Sequence, residues 1–272
     1  MVPAGSDIFL AARQAIDQLS VRTVTELDSI IQLRRETVQT AVDWLVLLML
    51  QAPRAAAAQI MMDQHPHGYR DRDKRLYELI DFNDTFVDAV LLVAEDDLAM
   101  FVDKLREEIN HFCRRLRAQT FSDEQYEAIT HGLSREIAVY AAAKKHGFEV
   151  VMTSRTADAF GIDMQIRDSE SGRYINVDCK TGSAFHFRLK DLVHEGRIAP
   201  HHMTDAETKG YWEIVNRRDD RRGVRIILLR IDQDELGPIT AFRFEDETAL
   251  VRRLREVIDL RGLTDGQFGQ ID

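Results

Sequence analysis

The stretch that decides the fold is GIDMQIRDSESGRYINVDCKTG, residues 161–182. It reads as a tight hairpin. In IDMQIR, Ile162, Met164 and Ile166 fall on one face and Asp163, Gln165 and Arg167 on the other. In YINVDCK, Ile175, Val177 and Cys179 share the apolar face; Tyr174, Asn176, Asp178 and Lys180 share the polar one. SESG between them is turn material. A slip of one residue would bury the polar face, so the apolar pattern fixes the register. Met164 then sits opposite Val177, Ile162 opposite Cys179, and Asp163 directly across from Asp178. Side chains so placed have Cβ atoms roughly 4.5–5.5 Å apart. Lys180 lies on the same face, about 6.6 Å further along the strand.

Two facing carboxylates destabilise a sheet unless something offsets their repulsion. A shared proton would do so, as would Lys180 alone, or a hard divalent cation held by convergent carboxylate oxygens. A solvated polar face, where water screens the pair, is the remaining alternative. The helix before the hairpin adds a third acid. Glu136 has Ile129 at i−7, Leu133 at i−3, Tyr140 at i+4 and Ala143 at i+7, so it interrupts the apolar stripe of an amphipathic helix. Burying it unpartnered would cost several kcal/mol. It either pairs with Arg135 or a rim lysine, or faces the same site as the two aspartates.

Working outward, the elements around the hairpin fall into place. SDEQYEAITHGLSREIAVYAAAKKHG is a helix opened by a Ser122–Gln125 capping box and stopped by Gly147, with Gly132 weakening its middle. FEVVMTS is a short strand. TDAETKGYWEIVNRR is a second helix, with Thr204 and Glu207 as its capping box. GVRIILLRID is a strand buried on both faces. PITAFRFED is a short strand, and ETALVRRLREVIDLRG a closing amphipathic helix. The order from residue 122 is α-β-β-β-α-β-β-α.

Glu136 on the first helix, GID at 161–163 and DCK at 178–180, carried on elements in this order, resemble the PD-(D/E)xK nuclease superfamily. The resemblance covers roughly residues 122–245. Ile162 stands where the family name implies proline; the D-x-K half is intact. The resemblance implies an α+β or α/β fold, with a restriction-endonuclease-like αβββαβ core and a mixed central sheet. It implies Mg²⁺ or Mn²⁺ on Asp163 and Asp178, with the Cys179 backbone carbonyl as an extra ligand. Glu136 would bind the metal directly or through water. Lys180 would orient or deprotonate the attacking water, or stabilise the phosphorane. The implied activity is phosphodiester hydrolysis of nucleic acid, DNA before RNA, in restriction, repair or antiviral defence. The alternative is an inactive nuclease fold serving as an interaction or regulatory module.

Candidate nucleic-acid contacts are Ser154 and Arg155 in TSRTADAFGID, Lys209, and Arg217 and Arg218 in NRRDDRRGVR. Each competes with an ordinary solvated loop or helix end. His186, His194, His201 and His202 lack zinc-ligand spacing. Trp212 is read as core, and Cys179 as a small buried hydrophobe.

Residues 1–118 read as all-helical, a bundle serving for interaction, dimerisation or larger assembly, and residues 119–272 as the nuclease-like domain. DIFLAARQAIDQL is one helix. TELDSIIQLRRETVQTAVDWLVLLML is another, with Thr25 as cap and Pro53 just past its end. PRAAAAQIMM is a further short helix, HPHGYRDRD is a turn, and the helical pattern resumes from about Asp84.

The 272 residues are 44% hydrophobic and 30% charged, ordinary for a globular chain. A net charge of −10 excludes coating nucleic acid through bulk charge, though not a local groove with a metal. Two scattered cysteines exclude a disulfide scaffold and an all-cysteine iron–sulfur cluster, and suit a reducing cytoplasm. No basic leader precedes a long apolar run, so no secretory signal is expected. VDWLVLLMLQAP is too short to span a bilayer and reads as a buried helix.

Overall fold

The structure is a computed structural model that describes residues 7–64, 72–153, 161–216 and 223–270, the side chains of 72–76 excepted. It is mixed α and β, and it divides into two compact units, residues 1–133 and 134–272, with the division inside one long helix.

The first unit is helical: α1 (Ile8–Gln18), a 3₁₀ turn (Val24–Glu26), α2 (Leu27–Arg35), α3 (Ala41–Gln64), α4 (Arg72–Leu92), α5 (Glu95–Leu98), α6 (Phe101–Leu116) and the start of α7 (Asp123–Lys145). The single helix expected from Thr25 onward is two. Thr40 and Asp43 form a reciprocal cap, Thr40 N donating to Asp43 Oδ2 at 3.0 Å and Asp43 N to Thr40 Oγ1 at 3.2 Å, which starts α3 afresh. Nor does Pro53 end a helix. It lies inside α3, which takes in PRAAAAQIMM. Proline there forfeits one backbone bond, about 3 kcal/mol. Burial of Leu45–Ala52, Ala55, Ala56 and Ala58 outweighs that. Helix α3 is long and apolar enough to cross a membrane, but 67% of its most apolar window is buried within the fold. Residues 65–71, which hold most of the expected turn, lie outside the described residues. The core includes edge-to-face rings, Phe9 on Phe101 at 5.6 Å and Phe86 on Phe101 at 5.5 Å.

The second unit is a mixed five-stranded sheet between helices. Its strands are β1 (Phe148–Met152), β2 (Met164–Asp168), β3 (Tyr174–Thr181), β4 (Tyr211–Asn216) and β5 (Val224–Ile231), in the spatial order β1-β2-β3-β5-β4. β1, β2 and β3 form an antiparallel meander, β5 runs parallel to β3, and β4 is an antiparallel edge strand. Between β3 and β4 run α8 (Gly182–His194) and α9 (His202–Lys209). After β5 come α10 (Gln233–Leu236), a two-residue ladder of β6 (Ile239–Thr240) with β7 (Arg243–Phe244), and α11 (Thr248–Arg261).

Each face of the sheet has its own core. On one, Val150, Met164, Ile166, Ile175, Val177, Ile227 and Leu229 pack with Ala138, Val139 and Ala142 of α7 and Leu250, Leu254 and Val257 of α11. On the other, Ile214, Ile226 and Leu228 pack with Phe185, Leu189 and Leu192 of α8 and Ala206 of α9. Helix α7 is one continuous helix through Gly132. The Ser122–Gln125 box opens it, with Gln125 N to Ser122 Oγ at 3.2 Å and Ser122 N to Gln125 Oε1 at 2.9 Å.

The expected helix over 204–218 is wrong in its second half. α9 ends at Lys209 and YWEIVN is strand β4. Thr204 and Glu207 do not cap α9, which His201 precedes without a side-chain bond. The terminator is Gly210, in the left-handed region at φ +70°, where the chain turns at once into β4. A Cβ there would meet the Arg253 guanidinium carbon at 2.7 Å. Gly210→Ala is therefore expected to destabilise this unit by about 2 kcal/mol, read by denaturant unfolding; an unchanged midpoint would show that the corner is relaxed.

Candidate functional site

The hairpin forms in the predicted register. Met164 pairs with Val177, Gln165 with Asn176 and Ile166 with Ile175. The turn closes through Gly172 N to Asp168 O and Asp168 N to Arg173 O, both 2.9 Å. The ladder stops at Met164, however, and does not continue to the expected pairs Asp163–Asp178 and Ile162–Cys179. Asp163 N instead donates to Val177 O at 2.8 Å, one residue out of step. Alternation fails with it: Ile162 packs with Phe185 and Leu228 on the opposite face from Met164. The carboxylate of Asp163 takes over where the β2 backbone leaves off, accepting from Cys179 N at 2.6 Å. A strand residue sends its N–H and C=O to the same side. The Cys179 carbonyl therefore faces the side from which β2 has withdrawn.

Much of the polar face of the hairpin is buried, although Arg167 and Lys180 each keep about a third of the side chain exposed. β5 sets Leu228 beside Asp178, and that face is the second core. Gln165, Asn176 and Asp178 are all buried. The first two satisfy one another: Gln165 Nε2 donates to Asn176 Oδ1 and Asn176 Nδ2 to Arg225 O, both at 2.8 Å. Gly269 N donates to Gln165 Oε1 at 2.6 Å. Asp178 is different. Its Oδ1 is buried and ion-paired with Lys180 Nζ, and no donor other than Lys180 reaches that oxygen. Its charge is matched while a lone pair stays unfilled.

The electrostatics follow from this burial. Burial pushes the Asp178 carboxyl above its ordinary range; the Lys180 ammonium and the Arg188 guanidinium pull it back only in part. For Lys180, burial works against the ammonium, but the Asp178 and Asp163 carboxylates outweigh it and the pKa rises. Cys179 is driven well up, first by burial and then by the carboxylates of Asp163, Glu136 and Asp178. The three acids therefore share a field around Cys179, which packs against the core on the α7 side of the sheet but is only partly buried, where a buried small hydrophobe was expected. Glu136 is half-buried on α7, just before the fully packed run Ile137–Val139.

A divalent cation can be weighed against this arrangement. Its donors are hard carboxylate oxygens plus a backbone carbonyl, the right chemistry for Mg²⁺ or Mn²⁺, and one buried anionic oxygen lacks a directed partner. Among the described residues, no three His, Cys, Asp or Glu side chains are gathered tightly enough to hold a metal ion as they stand. Lys180 occupies the position on Asp178 that a cation would share.

The remaining candidates divide. Ser154, Arg155, Arg217 and Arg218 lie outside the described residues. Lys209 Nζ is engaged by Asp205 Oδ2 at 2.8 Å, one helical turn back. Arg225, from the same basic run, is held by Glu213 through Nε at 3.1 Å and Nη2 at 2.7 Å. His186 Nδ1 meets Glu207 Oε1 at 2.8 Å, which is where the supposed capping glutamate goes. Trp212 is half-buried on β4, not on a helix.

Arg188 is the residue that sequence reasoning missed. It lies on α8, a helix legible from Phe185, Leu189 and Leu192 at helical spacing and from Thr181, whose Oγ1 accepts from Ala184 N at 3.1 Å. Comparison of the chain with protein-family models, with curated proteins and with solved structures returns no match.

Proposed function

We propose that the 134–272 unit is a metal-dependent nuclease that hydrolyses phosphodiester bonds of nucleic acid, DNA in the first place. The observation that carries this reading is the buried Asp178 carboxylate. It is ion-paired with Lys180 two residues on, with one oxygen unfilled, at the point where β2 gives way to the Asp163 carboxylate. The element order supports it too: α7, the β1-β2-β3 meander, helices, then β5 parallel to β3. That order agrees with the αβββαβ order the resemblance implies, with β4 in addition at the edge.

In this reading Asp163, Asp178 and the Cys179 carbonyl hold Mg²⁺ or Mn²⁺, with Glu136 beside them. An ion held there would supply Lewis-acid stabilisation of the charge developing on the phosphoryl oxygens and would lower the pKa of a bound water. The chain's own groups do the rest. Cys179 N–H fixes the Asp163 carboxylate. Lys180, its pKa raised, carries its proton at neutral pH. Its Nζ therefore orients the attacking water and faces the developing negative charge as a donor. Arg188 adds positive field at Asp178. The packed α8 face covers Leu228, the neighbour of Asp178 on β5. The helical unit serves partner binding or dimerisation, since cutting two strands takes two sites or two events.

The test is incubation of the purified chain with single-stranded DNA, duplex DNA and RNA in Mn²⁺ and in EDTA. Expected is Mn²⁺-dependent cleavage that Asp178→Ala abolishes. Equal cleavage by wild type and Asp178→Ala overturns the assignment. The second reading, an inactive scaffold, is favoured by the closed Asp178–Lys180 pair and the lack of a three-donor cluster among the described residues. It requires no heat of Mn²⁺ binding by calorimetry and no cleavage of any of the three substrates.

A further inference from the structure

Beside the edge strand lies a groove of about 900 Å³ that the proposed chemistry does not use. Leu192, Ile198 and Ile214 form its apolar floor, and Trp212 and His202 supply aromatic faces, ring centroids 5.4 Å apart and tilted by 33°. Asn216 and Arg197 lie at its rim, bonded to one another through Arg197 Nη2 and Asn216 Oδ1 at 3.2 Å, with Arg197 Nη1 on Glu195 Oε2 at 3.2 Å. An apolar floor, a π-surface and a few polar groups suit a planar heteroaromatic group, and the volume leaves room for the rest of a nucleotide and its neighbours.

Two further observations narrow the occupant. An edge strand invites another strand, but this one is obstructed. Arg230 N donates to Gly210 O at 2.9 Å, so strand alternation turns the backbone of Tyr211, Glu213 and Val215 outward. Arg197 Nη2 already covers the Val215 carbonyl at 2.8 Å, and a guanidinium on the edge blocks pairing. The acid in the groove is also spent: Glu213 is held by Arg225 and does not repel an anion at full charge. The groove is also in line with the candidate site. Asp178, Leu228 and Trp212 are directly paired across β3, β5 and β4 and so share one face, with Leu228 between them buried under α8, so the row sets a direction from the groove and not an open path. Two strand spacings separate Asp178 from Trp212, about 10 Å.

We propose that the Trp212–His202 groove binds an unstacked nucleobase of single-stranded nucleic acid, next to the strand position that Asp178 would address. This deepens the nuclease reading, on which the groove's role as a substrate site rests. It makes the substrate single-stranded, or duplex with an unpaired base, because a base inside a duplex has no free π-face to offer.

The experiment uses the full chain in EDTA, so that binding is read without cleavage. In a Trp44→Phe background Trp212 is the sole indole. A twelve-nucleotide single-stranded DNA is expected to quench its fluorescence, and a blunt duplex of the same sequence is not. Anisotropy of the fluorescein-labelled single strand, measured in the otherwise wild-type chain, is expected to show Kd raised about tenfold by Trp212→Ala and little changed by Trp212→Phe, which keeps a π-face. Equal quenching by duplex, no quenching, or an unchanged Kd for Trp212→Ala overturns the base site. Cleavage in Mn²⁺ without quenching overturns the base site alone. Quenching without cleavage overturns the nuclease reading and leaves the base site standing.

Discussion

Lys180→Ala is expected to cost roughly a thousandfold or more in Mn²⁺-dependent cleavage, the scale of losing a charged donor aimed at a developing phosphorane. It is also expected to destabilise the metal-free protein, by about 2–3 kcal/mol. The loss sits below the usual figure for breaking a buried pair because Lys180 keeps a third of its side chain in water while Asp178 has almost none. Asp178→Asn separates the two effects. It too is expected to abolish cleavage, but it trades the cost of a buried carboxylate against a Lys180 ammonium left without its partner, and because Lys180 keeps a third of its side chain in water the metal-free variant is expected to melt close to the wild-type temperature. The pH dependence has a definite sign. Burial raises the Asp178 pKa above its ordinary 3.8, so the folded chain holds this proton after the unfolded chain has lost it. Stability from this group is therefore greatest in acid and is lost as pH rises from about 4 through the raised pKa. The stability of Asp178→Asn relative to wild type should rise over the same range. Thermal melts of the three proteins in EDTA at several pH values check this. An Asp178→Asn protein less stable than wild type at neutral pH would mean that the ion pair is a net stabiliser, and the unfilled oxygen would lose its force as a pointer to a ligand.

The hairpin register was legible because period-two alternation is a local property and a slip would expose every apolar side chain at once. Val177 opposite Met164 followed directly. Ile162 was not legible. Its place on the opposite face depends on β2 bending away from β3 at Asp163, and the partner of the Asp163 carboxylate there is a backbone N–H, which no pattern of side chains announces. Burial of Asn176 and Asp178 was hidden for a related reason: alternation tells polar from apolar faces but not whether a helix later covers the polar one. YWEIVN was taken for the end of a helix because Thr204 and Glu207 mimic a capping box. Gly210, at the one position where the chain reverses, was the better signal. In the helical unit, Pro53 misled because proline's cost was weighed without the burial that offsets it. For the candidate site, Glu136, Asp163, Asp178 and Lys180 could be named from sequence, whereas Arg188 needed α8 folded back over the sheet.

Arg253→Ala carries the largest expected stability effect, about 3–5 kcal/mol, or roughly 10 °C in the melting of this unit. Only 8% of the Arg253 side chain is exposed. Its Nη2 meets both Glu235 oxygens, at 2.7 and 2.6 Å, and its Nη1 donates to Arg230 O at 3.1 Å. Truncation leaves a void, an unmatched Glu235 and an unsatisfied carbonyl at the end of β5. Charge alone can be tested by removing both partners. Arg253→Met with Glu235→Gln restores volume and leaves no ion behind, and it should recover more than half of the loss. A coupling below about 1 kcal/mol in that cycle would mark the pair as a surface salt bridge, despite its burial. The same substitution tests how the candidate base groove is held in place. The guanidinium packs where a side chain on Gly210 would lie, so it backs the corner that feeds α9 into β4 and sets Trp212 in its row with Asp178. Arg253→Ala should therefore shift the Trp212 emission maximum in the folded protein, before any unfolding. The double variant should move it back only in so far as methionine fills the same space, because that corner depends on volume while the Glu235 contact depends on charge.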